Sequence, residues 1–404
     1  MFLSLIFKDL SAQVRKLDYF INEAVANSPL LKDLQNQVRL NQLDSMLIAA
    51  AQRPQVSFTS NDSYAPVIKG YGYDEIITNI ANVNALFSVS KSLLNGLSNK
   101  TQFANLVFLS NALRNNASIS EQDVRRSIIS QYITTYGDQL QVNFSSEIQD
   151  MLRKQDIILK KLTEKNVYKQ VDYLAFYVTV QQNEFKLKQQ VNQFKNDYAT
   201  LNYLAGISDT SQPVLQSPEI SVSVSTDINS SVFFKKYYID SLTLANNKRI
   251  IDLTYRPKLS VSADAGYNSS LTYLPYKNFG TSIALNLIIP IYDGKQKQLQ
   301  YNKIDVQENT LLANKKFFTR QYYQQQVQLR QQLKSTSDLI NDINLQLKYI
   351  ETLITVNEKL LQTGEVRIYD YILSLNNFLN AKNLINENTV ARLQLINQIN
   401  YWNR

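Results

Sequence analysis

The sequence predicts a mixed α/β membrane protein with two structural repeats per chain. Three observations carry that prediction. One order of sequence features occurs twice, each copy holds a pair of alternating strand-like segments, and each copy holds a very long stretch almost without glycine or proline. Only 9 glycines and 8 prolines occur in 404 residues, a balance that favours long helices over many short turns. Mean hydropathy is −0.27 and no apolar run reaches the ~18 residues of a membrane-spanning helix, so no transmembrane helix is expected.

The repeat is visible in matched fragments. Arg53-Pro54-Gln55-Val56-Ser57-Phe58 returns as Arg256-Pro257-Lys258-Leu259-Ser260-Val261, and Asn95-Gly96 returns as Asp293-Gly294. The run from Asn166 through Asp172 to Leu174 returns from Gly364 through Asp370 to Ile372. The last two pairs share an offset of 198 residues, so the chain between them aligns without a gap. The Arg-Pro pair is offset by 203, which leaves a few extra residues between the first copy's strands.

The chain therefore divides into an expected signal-peptide remnant at 1–13, repeat 1 at 14–206, an inter-repeat linker at 207–228 and repeat 2 at 229–404. Met1-Phe2-Leu3-Ser4-Leu5-Ile6-Phe7 is apolar but too short for a complete export signal. Ser11-Ala12-Gln13 fits the end of one, so mature sequence is expected to begin near Val14. The linker, with Pro213 and Pro218 among serines, is polar.

Each copy opens with a helix, at about 29–52 and 232–255, that the Arg-Pro pair ends; a proline pushes the residue before it into extended conformation. Strands follow at about 55–64 and 80–91, and again at 258–268 and 279–291. Residues 76–90 and 278–292 carry no charge. Ile283, Leu285, Leu287 and Ile289 fall on one face, with Gly280, Ser282 and Asn286 on the other. Val83, Ala85, Phe87 and Val89 alternate with Asn82, Asn84, Ser88 and Ser90. Uncharged strands longer than the ~6 residues usual in globular sheets fit a transmembrane barrel; a half-buried strand of a soluble sheet alternates in the same way. Tyr64, Tyr71, Tyr73, Tyr267, Tyr273, Tyr276 and Tyr292 gather at strand ends, where an interfacial belt would lie and where turn tyrosines also occur.

Two long helical stretches come next, at about 94–164 and 295–363, each with a return helix after a short turn, at about 172–206 and 370–404. Ile340, Ile343, Leu347, Ile350, Ile354 and Leu361 keep coiled-coil steps, with Asn357 filling one core slot. Leu353, Val356 and Leu360 begin a second stripe, and Ile148, Leu152, Gln155, Leu159 and Leu162 repeat the first one in the earlier copy. Two stripes mean neighbours on both sides, as in a closed ring of helices. A helix of ~70 residues would span ~105 Å, too long for one chain to bury, and four strands do not close a barrel. The chain is expected to oligomerise.

Composition removes several functions. With no cysteine and no histidine, disulfides, thiol chemistry, common zinc sites and histidine acid–base catalysis are excluded. The net charge of +8 is spread along helical stretches without the clustered patch that nucleic acid requires. No nucleophile–base pair, phosphate loop or cofactor motif stands out, so no enzyme activity, cofactor or metal is expected.

Taken together, Arg-Pro before an alternating strand, Ile289-Pro290-Ile291-Tyr292-Asp293-Gly294 opening a long helix, and Gly364 six residues before Asp370 resemble the TolC family of outer-membrane efflux channels. The run from Leu17 to Pro29 resembles the family's opening helix, and the likeness follows both repeats in order. The resemblance implies a homotrimer whose strands form one twelve-stranded transmembrane β-barrel among outer-membrane lipid, continued by a periplasmic α-helical barrel. It also implies partners: a periplasmic adaptor protein at the hairpin tips and, through it, an inner-membrane pump, in a Gram-negative envelope. Carried over residue by residue, the adaptor-contact tips are Asn166, Val167, Tyr168 and Lys169, with Gly364, Glu365, Val366 and Arg367.

Pore gate candidates are Asp370 and, from the other repeat, Asp172. The family's second gate carboxylate and gate tyrosine are replaced here by Leu373 and Leu361. Asp370 has two readings, a cap that favours the dipole of its return helix and a carboxylate facing the pore. The implied function is the exit duct of a tripartite efflux system, passively conducting substrates outward. An exit duct for type I protein secretion has the same architecture, and a structural coiled-coil envelope protein would explain the helices without the strands. Three methionines with no histidine or cysteine leave few soft ligands for copper or silver.

Overall fold

The computed structural model describes residues 15–403 apart from 75, 77–79, 95, 224–227, 229, 230 and 273. The expected signal remnant at 1–13, Asn95, Tyr273 and part of the linker lie outside the described residues.

The elements in order are α1 (Leu17–Asn27), α2 (Pro29–Ala51), β1 (Gln55–Tyr64), β2 (Ala81–Ser92), α3 (Gly96–Glu164) and α4 (Gln170–Ala205). After these come α5 (Val232–Thr254), β3 (Lys258–Ser269), β4 (Phe279–Ile288), α6 (Gln296–Thr363) and α7 (Ile368–Trp402). α3 and α6 have 69 and 68 residues, and the return helices α4 and α7 have 36 and 35. The last strand stops at Ile288 rather than 291, because Pro290 has no N–H to offer the ladder.

Two compact units result, and each draws on both sequence repeats. The first comprises residues to Lys32, Ala117–Val232 and from Phe317; the second comprises Asp33–Asn116 and Phe233–Lys316.

The second unit holds an antiparallel sheet in the order β1-β2-β3-β4. Register explains its two faces. Val56 pairs with Val89, Val89 with Ala263 and Ala263 with Ile283, giving one apolar row. One residue along, Ser57, Ser88, Asp264 and Ser282 form a polar row, where the Ser282 hydroxyl donates to the Asp264 carboxylate at 3.2 Å. A slip by one residue would exchange these faces, so the alternation pins the register. Leu86 intrudes on the polar face opposite Gly266, where a Cβ would meet the Ala85 carbonyl oxygen at 2.1 Å. Every residue of β1 and β4 is exposed, leaving two long unpaired edges. Ile283 and Leu285 on β4 are 81% and 71% exposed. Tyr64, Tyr71, Tyr73, Tyr276 and Tyr292 are exposed as well.

In the first unit, α1 packs on α3 and α4 through Phe20, Ile21, Ala24, Ile128, Tyr132, Tyr198 and Leu201. The linker, expected only to be polar, is held against this core. Leu215 is buried, and the Gln139 side-chain amide both donates to the Leu215 carbonyl at 2.9 Å and accepts its N–H at 2.8 Å. Arg15 pairs with Asp209 at 2.6 Å, while Asn400 and Asn403 donate to the carbonyls of Ser221 and Ser223. Side-chain amides thus satisfy backbone groups that lack a ladder.

The coiled-coil reading of the long helices meets the structure in part of each stripe. Ile340, Ile343, Leu347, Ile354 and Leu361 are buried, and so are Ile148, Leu152, Gln155 and Leu159. The second stripe stays open, with Leu353 47% and Val356 45% exposed in the single chain.

Candidate functional site

The two helical hairpins of the first unit end in turns with one shared geometry. α3 stops because Asn166 takes a left-handed φ of 57°, and α6 stops because Gly364 takes 80°. In the first turn the N–H of Val167 donates to the Leu162 carbonyl at 2.9 Å and that of Asn166 to Thr163 at 3.0 Å. In the second, Glu365 donates to Leu360 at 3.0 Å and Gly364 to Leu361 at 3.4 Å. Both are Schellman ends, which use a left-handed residue to satisfy the last helical carbonyls. Lys169 and Arg367 then enter the return helices with nearly equal extended dihedrals.

The residues of the turns differ where they meet. Tyr168 is half-buried, and its hydroxyl lies 2.7 Å from the Leu361 carbonyl oxygen and 2.9 Å from that of Val366. The Val167 side chain approaches Gly364 so closely that a Cβ there would lie 2.8 Å from its Cγ1. Leu361, standing where the family resemblance expects a gate tyrosine, is fully buried in a core with Leu159, Phe176, Ile368 and Tyr371. Polar side chains punctuate this core: Gln155 donates to Glu358 at 2.5 Å, and Asn357 to Ser374 at 2.5 Å.

Of the eight proposed contact residues, Asn166, Val167, Lys169, Gly364, Glu365 and Arg367 are exposed, while Tyr168 and Val366 are partly buried against the core. Val171, Tyr369 and Leu373 add apolar surface beside the turns, 67%, 67% and 50% exposed.

The gate candidates sit differently from one another. Asp370 is gripped by Arg367, whose Nε and Nη2 donate to its two carboxylate oxygens at 2.8 and 3.0 Å. Asp370 stands in the first turn of α7, where a carboxylate favours the helix dipole, and it pairs with Arg367, the extended N-cap residue three positions before it, rather than with backbone N–H groups. That bidentate contact raises the Arg367 pKa. Asp172, in the first turn of α4, is exposed and has lysine, Lys169, at the position equivalent to Arg367. The hydroxyl of Tyr168 was not readable as a partner of the second turn, since offsets along the chain do not reveal which turn faces which.

No family model matches the sequence, and no curated protein matches it. Solved structures do. CusC, described for conformational changes accompanying folding and transmembrane channel formation, aligns at a TM-score of 0.77 with 12% identity, covering 96% of this chain and 91% of its own. The outer membrane protein VceC of Vibrio cholerae aligns at 0.74 with 12% identity over 96% of each chain. The outer membrane channel MtrE of Neisseria gonorrhoeae, in an open state, aligns at 0.75 with 9% identity over 96% of this chain and 88% of its own. At such identities the likeness is one of fold.

Proposed function

We propose that this chain, which carries the fold of outer membrane channels, is one protomer of a homotrimeric exit duct. Three four-stranded sheets close into a twelve-stranded barrel in the outer membrane, and the helices continue it into the periplasm. The duct passively conducts substrates delivered by an inner-membrane pump through a periplasmic adaptor, and it catalyses no reaction. The observation that supports this most directly is the sheet with one apolar exposed face and two fully exposed edge strands. Long, flat edges of this kind invite pairing with another chain, and closure into a barrel removes them altogether. A purely structural coiled coil has no use for this sheet. Among the described residues no helix is long and apolar enough to cross a membrane.

The test is conductance of the purified protein in a planar bilayer, paired with its size in detergent. A trimer giving discrete, long-lived conductance steps is expected. A monomer that leaves the bilayer silent would overturn the reading.

In this reading the hairpin turns meet the adaptor and the start of the return helices lines the periplasmic mouth. Each Asp370 charge is then offset locally by Arg367, while Asp172 is not so forked. Three symmetry-related Asp370 carboxylates freed of their partners would focus negative potential at the constriction. Arg367→Gln is therefore expected to move reversal potentials toward cation preference and to create block by multivalent cations. Equal reversal potentials for wild type and Arg367→Gln would place the pair away from the ion path.

A further inference from the structure

The polar face of the sheet in the second unit is built mostly from serine, threonine and asparagine, with Ser57, Ser88, Asp264 and Ser282 side by side across the four strands. Among the described strand residues, two charges fall on this face: Lys258 at the start of β3, and Asp264. Six residues separate them, roughly 20 Å along a strand, which is about two screening lengths at physiological salt. Lys258 therefore leaves the charge of Asp264 standing. Ser282, whose hydroxyl donates to the carboxylate at 3.2 Å, is neutral, and no salt bridge reaches Asp264 among the described residues.

Beside Asp264 the face is cut away. Gly266 pairs with Gly280 two residues further along, so neither strand raises a side chain there, and a Cβ on Gly280 would meet nothing within 4 Å. The result is an open hollow of about 340 Å³ that Asp264 shares with Asn268, Asn278 and Ser282. Its other polar side chains are neutral amides and hydroxyls, so the carboxylate is the charge that a solute passing this face would meet.

Symmetry would multiply that charge. Twelve strands ~4.8 Å apart and tilted by ~40° make a ring of roughly 12 Å radius at the backbone, which side chains narrow to roughly 8 Å. The screening length at 0.15 M salt is also ~8 Å, so three Asp264 carboxylates act together at the axis. Coulomb's law in water then gives monovalent cations a roughly two- to threefold excess there. At ~0.01 M salt, where the screening length is ~30 Å, the excess rises to roughly sevenfold.

We propose that Asp264 sets the charge preference of the barrel lumen, so that the duct favours solutes carrying ammonium or guanidinium groups over anions of equal size. This rests on the reading of the sheet as one third of a barrel wall with its polar face inward. The preference is local to the strands and independent of the Arg367–Asp370 pair at the hairpin turn.

The sequence has no cysteine, so a single introduced thiol reports the local potential. Ser88 pairs directly with Asp264, and Ser88→Cys is to be labelled with a trimethylammonium-ethyl methanethiosulfonate and with its sulfonate analogue. The ratio of the two rates, cationic over anionic, is expected to be roughly fourfold higher than in Ser88→Cys/Asp264→Asn. Both reagents attack by the same chemistry, so the ratio cancels any change in thiol pKa. In planar bilayers under a salt gradient, Asp264→Asn, which can still accept from Ser282, is expected to move the reversal potential toward anion preference. Asp264→Glu is expected to hold the wild-type value. A labelling ratio that Asp264→Asn leaves unchanged, or equal reversal potentials in a chain that conducts, overturns the assignment. A chain that labels as expected but conducts nothing overturns the channel and leaves the field of Asp264 in place.

Discussion

Replacing Asp138 with asparagine is expected to remove much of the pH dependence of stability between about pH 4 and 7. Asp138 on α3 contacts Asp197 on α4 within the first unit, and burial first, then the hydrogen bond and repulsion from Asp197, push its carboxyl from 3.8 up to about 7. For Asp197, burial works in the opposite sense, but hydrogen bonds from Asp138, Gln193 and Gln131 outweigh it and hold the carboxyl below its ordinary value. The two acids therefore share one proton at neutral pH. The native Asp138 binds more protons than the unfolded one between pH 3.8 and about 7, so its contribution is fully present below that window and is lost as pH rises through it. After discounting for the water that reaches the half-buried pair, the loss is on the order of 1–2 kcal/mol per protomer. The substituted amide keeps a donor toward Asp197 without titrating, so Asp138→Asn is expected to melt higher than wild type at pH 8 and alike at pH 4. Parallel melting curves across that range, measured in detergent, would mean the pair does not share a proton.

Gly364→Trp is expected to abolish export while leaving the oligomer intact. Gly364 has a φ of 80°, and any side chain there begins with a Cβ 2.8 Å from Val167 Cγ1. An L-residue in the left-handed region costs ~1–2 kcal/mol, and the indole must then displace the first hairpin's turn from the second. The edge strands lie far from this turn in the sequence, so the disturbance is confined to the hairpin ends and the core of Leu361 and Ile368 beside them. Gly364→Ala separates the causes. Its clash is with one flexible side chain, so Val167→Ala in the same chain is expected to restore contact and leave only the backbone strain. Normal export from the tryptophan variant would remove the turns from any role in coupling, and loss of the oligomer would make them structural.

Much of the fold was legible because it depends on local rules. Glycine and proline scarcity marked α3 and α6, Arg-Pro ended α2 and α5, and period-two alternation marked the strands to within one to three residues. Asn166 and Gly364 announced matching turns because both tolerate positive φ. Partnership was not legible. Tyr168 reaching across to Leu361 and Val366, and Asp138 meeting Asp197, depend on which helix faces which.

The elements, their order and their two-fold repetition therefore follow from the chain read residue by residue, since dihedral preference and hydrophobic period act between near neighbours. How the pieces are grouped came from packing. Folding divided both repeats between two compact units and strapped the linker onto the first through Leu215 and Gln139. Burial and charge pairing are set by distances in space, and residues 198 positions apart, such as Tyr168 and Val366, meet only once the helices have packed.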